Sequence, residues 1–331
     1  MCLQWFVHHL LCFGAVYWCP VPPALSAARA AHLDDEHLSR LSWQREAAII
    51  EHGRQSGMCQ PQRATQDVGI NQHAFIRVHV HPKRFPAVYT VDWKECVVHV
   101  ADDYVVVHKP AGVQVAPTVD NLLENVLACT AQALQCKEPL LITHRLDACT
   151  EGLLVVGRTL AFVQHFNRLL QQPGGVRKHY QALTQKPPPL GRLVHYLRSE
   201  RGKGQPAHSR GHRKPSPGSH LCILEVMHVQ PVTVVDAVAA DWGPVAYESY
   251  IELHTGRTHQ IRAQLAAEGF PLFGDTLYTS LALGASPQAR LQESTGACGL
   301  QACKIETPGS DMLQHRSFQA RTPWWSVEAL S

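Results

Sequence analysis

The chemistry in this chain is best sought where a carboxylate follows an arginine by two positions, with a histidine ahead of them and an apolar run behind. That pattern occurs at His144-Arg145-Leu146-Asp147, followed by Thr150, Glu151, Gly152 and the run Leu153-Leu154-Val155-Val156. An Asp set beside cations on a loop that feeds a buried strand can serve as a nucleophile or as a partner for a charged intermediate. Asp and Thr ahead of an apolar segment also make ordinary caps and turns, so this segment alone leaves both readings open. A second segment adds the missing partners. Residues His254-Thr255-Gly256-Arg257-Thr258-His259-Gln260-Ile261-Arg262 lead into Leu265 and are followed by Gly269-Phe270-Pro271-Leu272-Phe273-Gly274-Asp275.

Two further pieces complete a pattern: Tyr104-Val105-Val106-Val107-His108-Lys109-Pro110-Ala111-Gly112 and Lys178-His179-Tyr180-Gln181-Ala182-Leu183. In their order along the chain the segments resemble the RluA-type pseudouridine synthases, which isomerise uridine in RNA to its C-glycoside. The resemblance runs from about Val88 to the C-terminus, where Leu300-Gln301-Ala302 and Pro323-Trp324-Trp325 are similar to the family's closing strand and tail. It implies that Asp147 is the catalytic aspartate, attacking either the base or the ribose C1′ of a flipped uridine. Arg262 matches the basic residue that pairs with it, expected to be a bidentate partner that keeps the carboxylate charged and fixes its direction. Tyr180 matches the tyrosine that stacks on the target base and is suited to proton transfer. Without the resemblance it reads as a core tyrosine on a strand.

The resemblance further implies that Arg145 enters the RNA stack where the target base has left, a planar cation offsetting part of the unstacking cost. Leu265 matches an apolar residue of the uracil pocket, and Arg257 and His259 are carried over as RNA contacts. One departure stands out: Glu151 occupies a position where the family usually has Ser or Ala. A second carboxylate near Asp147 would raise the aspartate's pKa if the two side chains met. A chain that binds RNA without turning it over is therefore the alternative reading, and a hydrolase using Asp147 is a more remote one.

Elements must hold these residues in place. Tyr104 to His108 reads as a buried strand, Val119 to Leu134 as an amphipathic helix, Leu160 to Gln172 as a helix stopped by Pro173-Gly174-Gly175, and His179 to Thr184 as a strand. Strands and helices mixed without strict alternation argue for α+β. The resemblance sharpens this to a mainly antiparallel mixed sheet with flanking helices and a central cleft over residues 88–331. Residues 1–87 would form a small, degenerate S4-like RNA-binding module, with Leu10 to Tyr17 as its helix-to-strand segment and Phe75 to Pro86 as its closing strand. Residues 24–71 show no clear motif. Arg198, Arg201, Lys203, Arg210, Arg213 and Lys214 stand among Gly, Ser and Pro, which reads as a mobile basic loop over residues 198–220 able to meet RNA phosphates.

Composition limits the remaining classes. With 331 residues and 45% hydrophobic content the chain can build a sizeable core and is not wholly disordered. A net charge of +3 is too small to draw RNA by itself, so any affinity must come from local patches. The 11 Cys contain no CxxC pair and read as reduced intracellular thiols, and the 21 His show no ligand spacing with carboxylates or Cys, so no metal is expected. No cofactor is expected either, and the chain is read as a monomer whose partner is RNA, whether rRNA, tRNA or mRNA. The apolar start Trp5-Phe6-Val7 to Phe13 lacks a basic flank, is broken by His8-His9, and falls short of the ~20 residues of a membrane span, so it reads as structure. The N-terminal region resembles that of plant and algal members of the family, which leaves location between chloroplast and cytoplasm.

Overall fold

The computed structural model describes residues 2–19, 62–66, 75–200, 208–282, 296–308, 313 and 317–327. It divides into two compact units, residues 1–84 with 117–123, and residues 85–116 with 124–331.

The first unit begins with helix α1 (Cys2–Cys12) and continues into strand β1 (Val16–Cys19), which lies between β2 (Gln62–Ala64) and β3 (Phe75–Val78) in an antiparallel sheet. Gly14, at φ +64, ends the helix in a left-handed turn, with Gly14 N–H bonded to Leu11 O and Ala15 N–H to Leu10 O. This pair of bonds satisfies carbonyls the helix would otherwise leave open, and it aims the chain into β1. Leu10, Phe13 and Ala15 form the unit's small core. Of the motif-poor stretch 24–71, only residues 62–66 fall within the described part.

The second unit is built on an eleven-stranded sheet. Its strands are β4 (Val97–Val100), β5 (Tyr104–Lys109), β6 (Leu141–Ile142), β7 (Glu151–Gly157), β8 (Arg177–Thr184), β9 (Gly191–Glu200), β10 (His208–His212), β11 (His220–Thr233), β12 (Val245–Leu253), β13 (Leu300–Glu306) and β14 (Ser317–Gln319). The order is β10-β9-β11-β12-β8-β13-β7-β5-β4, with β14 on β13 and β6 on β7. These pairs are antiparallel except β13 with β7, where Gln301 lies opposite Glu151 and Ala302 opposite Gly152. The architecture is the expected mixed, mainly antiparallel α+β fold.

Strands β5 and β7 are buried along their whole length, so apolar residues face both ways. Val105, Val107, Leu154 and Val156 join the main core, while Tyr104, Val106, Leu153 and Val155 pack with Phe162 and Phe166 of helix α3 (Leu160–Gln171). Thr159 starts this helix where the sequence predicts it, its hydroxyl oxygen accepting from Phe162 N–H. The helix expected over residues 119–134 is shorter: α2 spans Val126–Ala133, with Asn125 as its cap accepting from Ala128 N–H. Thr118 instead donates to Asp120, while Asp120 accepts from Lys83 N–H and Asn121 donates to Lys83 O, so these side chains are committed to partners outside a helix. Among the described residues the remaining α-helices are α4 (Asp236–Trp242), α5 (Gln260–Ala267) and α6 (Thr276–Ala282).

The basic segment 198–220 differs from the loop expected of it. Arg198 lies on β9 and Arg210 on β10, two antiparallel strands, and β11 begins at His220. Leu197 is buried with Ala263 and Ala266 of α5, and a Cβ at Gly211 would lie 3.3 Å from that of Ala267, so the hairpin packs onto α5. Residues 201–207 lie outside the described part.

Candidate active site

A cleft of about 330 Å³ opens in the second unit, walled by residues 144–147, Lys178 and Tyr180 of β8, Leu253 at the end of β12, Leu300, and residues 256–262. The structure therefore brings Asp147, Tyr180, Arg262, Arg145, Arg257 and His259 to one place. Leu265 is not on this wall. It is fully buried on α5, in the core cluster that also holds Tyr180, because α5 is packed on nearly every side.

Asp147 stands on the loop between β6 and β7, and the backbone there is pinned at one atom. Ala148 O accepts from Gly112 N–H at 2.7 Å and from the Lys109 ammonium at 3.1 Å. Lys109 is fully buried and also donates to Pro110 O at 2.8 Å. Burial lowers its pKa from an ordinary 10.5 to about 8, against the opposing pull of Cys149 and Asp147. His144 fixes the loop's other end, its Nε2 accepting from Val155 N–H at 3.1 Å. Burial, aided by Lys178, pushes that imidazole to about 3, which keeps the accepting nitrogen unprotonated.

Arg262 reaches Asp147 from α5 with a single bond, Nη1 to Oδ2 at 3.1 Å. The bidentate partner expected in Asp147 is Asp275, whose oxygens take Nε at 2.7 Å and Nη2 at 2.9 Å. The planar fork has two faces to satisfy, and Asp275 occupies the one that leaves Nη1 free to address the cleft. A buried arginine, 2% exposed, is thus paired before it touches Asp147. The other oxygen of Asp147 lies 3.7 Å from His259 Nε2. His259 precedes α5 at φ +56, the left-handed region that a non-glycine residue enters only at a cost.

Tyr180 is 6% exposed, and burial together with the nearby Asp147 holds its hydroxyl well above the usual phenol range. It works as a neutral ring with a donor tip. Arg145 and Arg257 are exposed at the rim, where a polyanion can reach them. Lys178 lines the same cleft, its ammonium pKa lowered by burial. Gln260 shapes the turn before α5, accepting from Thr255 Oγ1 at 2.9 Å and Arg257 N–H at 3.2 Å.

Glu151 does not compete with Asp147. Its Oε1 accepts from Gln301 Nε2 at 2.9 Å and Trp324 N–H at 3.4 Å, while Oε2 lies 3.9 Å from His108. Its carboxylate is spent on joining β7 to the later part of the chain. Lys109, Lys178, Gln260 and Asp275 stand in the motif segments without an expected role, and Tyr278 lies outside them. A buried Lys after an apolar strand and a Gly-Asp following the second motif were the available signals. Among the described residues, no group of three or more His, Cys, Asp or Glu gathers as a metal site, and no helix is long and apolar enough to cross a membrane.

Comparisons with known proteins agree with this geometry. A family model described as RNA pseudouridylate synthase matches residues 103–267. The RNA pseudouridine synthase 6, chloroplastic, of Arabidopsis thaliana is 34% identical over 97% of this chain and 75% of its own length. Its namesake in rice, Oryza sativa subsp. japonica, is 32% identical over 98% of this chain and 75% of its own. The ribosomal large subunit pseudouridine synthase D of Neisseria meningitidis serogroup A is 31% identical over 77% of this chain and 63% of its own. With its motifs assembled around one cleft and relatives matching along nearly its whole length, this chain belongs to the RluA-type RNA pseudouridine synthase family.

Proposed function

We propose that this enzyme isomerises uridine in RNA to pseudouridine with Asp147 as its catalytic carboxylate. The observation that carries the assignment is the posture of Asp147, held on a pinned loop in the cleft with one oxygen on Arg262 and the other facing His259. Isomerisation breaks the bond from ribose C1′ to N1 and forms one to C5, while the C5 hydrogen leaves to solvent as a proton and N1 takes a proton up. Atoms and charge balance within the nucleotide and water, so the reaction itself calls for no metal or redox cofactor. A carboxylate beside C1′ or the pyrimidine ring can hold the intermediate between the two steps. Tyr180 offers a ring for the flipped base, and exposed Arg145 and Arg257 are placed for the gap in the stack and for phosphates.

The first unit sets Tyr17 opposite both Arg63 and Arg77 on neighbouring strands, a stacking ring between two cations that suits an S4-like RNA-binding module. The hairpin β9–β10 adds exposed Arg198 to a surface that RNA can follow. Leu265 supports the cleft from the core side, in the cluster shared with Tyr180. The names of the two plant relatives favour a chloroplast location, and the enzyme is read as a monomer.

The deciding experiment uses RNA labelled with [5-³H]uridine, extracted from cells that lack the protein. Tritium release by wild type and none by Asp147→Asn supports the proposal. RNA binding without release by wild type would favour a non-catalytic binding protein instead.

A further inference from the structure

Beyond Arg262, the contacts of Asp147 lead to a residue outside all the motifs. Tyr278, on α6, is 2% exposed and its hydroxyl lies 3.2 Å from His259 Nδ1. The same hydroxyl oxygen accepts from Ser209 N–H of β10 at 2.8 Å. The Tyr278 ring also lies 5.2 Å beneath the Arg262 guanidinium, so one side chain touches both groups that flank Asp147. Ser209 reinforces the arrangement, its own hydroxyl donating to Thr258 O at 2.8 Å, next to the strained His259.

Proton accounting gives this chain a direction. The phenol oxygen accepts from Ser209, and donating its single hydrogen to His259 Nδ1 is the arrangement that also uses the hydroxyl's donor. Burial, against the opposing pull of the Ser209 N–H and the Arg262 guanidinium, holds the Tyr278 hydroxyl well above the usual phenol range, which keeps that hydrogen in place. With Nδ1 occupied as acceptor, the proton of a neutral imidazole must sit on Nε2, the atom facing Asp147 Oδ1. The opposite tautomer would set a lone pair against a carboxylate oxygen.

We propose that Tyr278 is a positioning residue for Asp147, its hydroxyl fixing the tautomer of His259 and tying that imidazole to the hairpin β9–β10. This rests on Asp147 being the catalytic carboxylate. The donor on Nε2 steadies one carboxylate oxygen while Arg262 steadies the other, so the nucleophile's direction is set from two sides. Because Ser209 belongs to the basic hairpin, an RNA strand that seats on β10 would bear on the same hydrogen bonds.

The test is Tyr278→Phe, which keeps the ring under Arg262 and removes only the hydroxyl, assayed beside His259→Asn, the double variant and Asp147→Asn. Turnover is read as tritium release from the [5-³H]uridine RNA of cells lacking the protein. The expected result for Tyr278→Phe is a kcat lower by about tenfold, the worth of one aligned hydrogen bond, with KM unchanged. The double variant is expected to be no slower than His259→Asn alone, since Tyr278 acts through that imidazole. Wild-type kcat in Tyr278→Phe, a loss confined to KM, or losses that multiply in the double variant would overturn the assignment. Release by Asp147→Asn would instead sink the reading of Asp147, so the two failures are distinct. Nitrogen NMR of ¹⁵N-histidine-labelled protein, with the His259 signals identified by their absence in His259→Asn, gives an independent answer. A protonated Nε2 and bare Nδ1 in wild type support the proposal, and the reverse tautomer refutes it.

Discussion

Lys109 gives the protein a pH signature that can be isolated by one substitution. Its ammonium titrates near 8 in the folded protein and near 10.5 when exposed by unfolding. Between those values the unfolded chain holds a proton that the folded chain has released, so this residue makes stability rise with pH through that window. Below pH 8 both states are protonated and the full cost of burying the charge is present. The span of 2.5 pH units corresponds to roughly 3 kcal/mol, and about 2 kcal/mol of it falls between pH 7.5 and 10. Lys109→Met keeps a linear chain of similar length and removes the titration. Ala148 O retains its bond to Gly112 N–H, so the Asp147 loop loses one of two anchors. Urea unfolding of both proteins at pH 7.5 and 10 should show the wild type gaining about 2 kcal/mol more than Lys109→Met over that interval. The difference between proteins cancels buried thiols such as Cys129, raised to about 11, whose effect on stability in this range has the opposite sign. Equal pH slopes for the two proteins would refute the account of Lys109 as a buried, strained ammonium.

Three further outcomes follow from the site's surroundings. Gly152→Ala should cost about 3 kcal/mol or more in urea unfolding, because φ is +111 and the added Cβ would stand 2.4 Å from Ala302 O. A loss below about 1 kcal/mol would show that β13 can move aside. Asp275→Asn should cost roughly 3 kcal/mol and slow tritium release, since a buried guanidinium loses a charged bidentate partner; unchanged unfolding and rate would mean that Asp147 alone suffices. Glu151→Gln should leave kcat near wild type, because an amide oxygen still accepts from Gln301 and Trp324; a marked gain or loss of rate would show that the Glu151 charge reaches Asp147.

How far the sequence was legible depended on whether a residue's partners were local. The helix from Leu160, the buried strand from Tyr104 and the strand through Tyr180 follow from caps, breakers and apolar periods contained within a few residues. The helix expected from Val119 fails at its start because Asn125 takes the capping position while Asp120 and Asn121 bond Lys83, 37 and 38 positions away. The strand pairing of Arg198 with Arg210 rests on remote packing: Leu197 and Gly211 lie against α5, and Ser209 bonds Thr258 ahead of it, many residues away in sequence. In the cleft, Asp147, Tyr180 and Arg262 stood out by their motifs. That Asp275 would take the fork of Arg262, and that Glu151 would be claimed by Gln301 and Trp324, are facts of tertiary pairing that no spacing displays.

The parallel pairing of β13 with β7 also sets the timing of assembly on the ribosome. Glu151 waits for Trp324, a partner 173 positions downstream, and Cys149 O waits for Cys298 N–H. At ~5–20 residues per second, roughly 8–30 s separate synthesis of the loop that carries Asp147 from synthesis of the strand that seats beside it. During that interval the edge of β7 has no neighbour on that side, so the nascent chain presents an unpaired strand edge at residues that the folded enzyme buries.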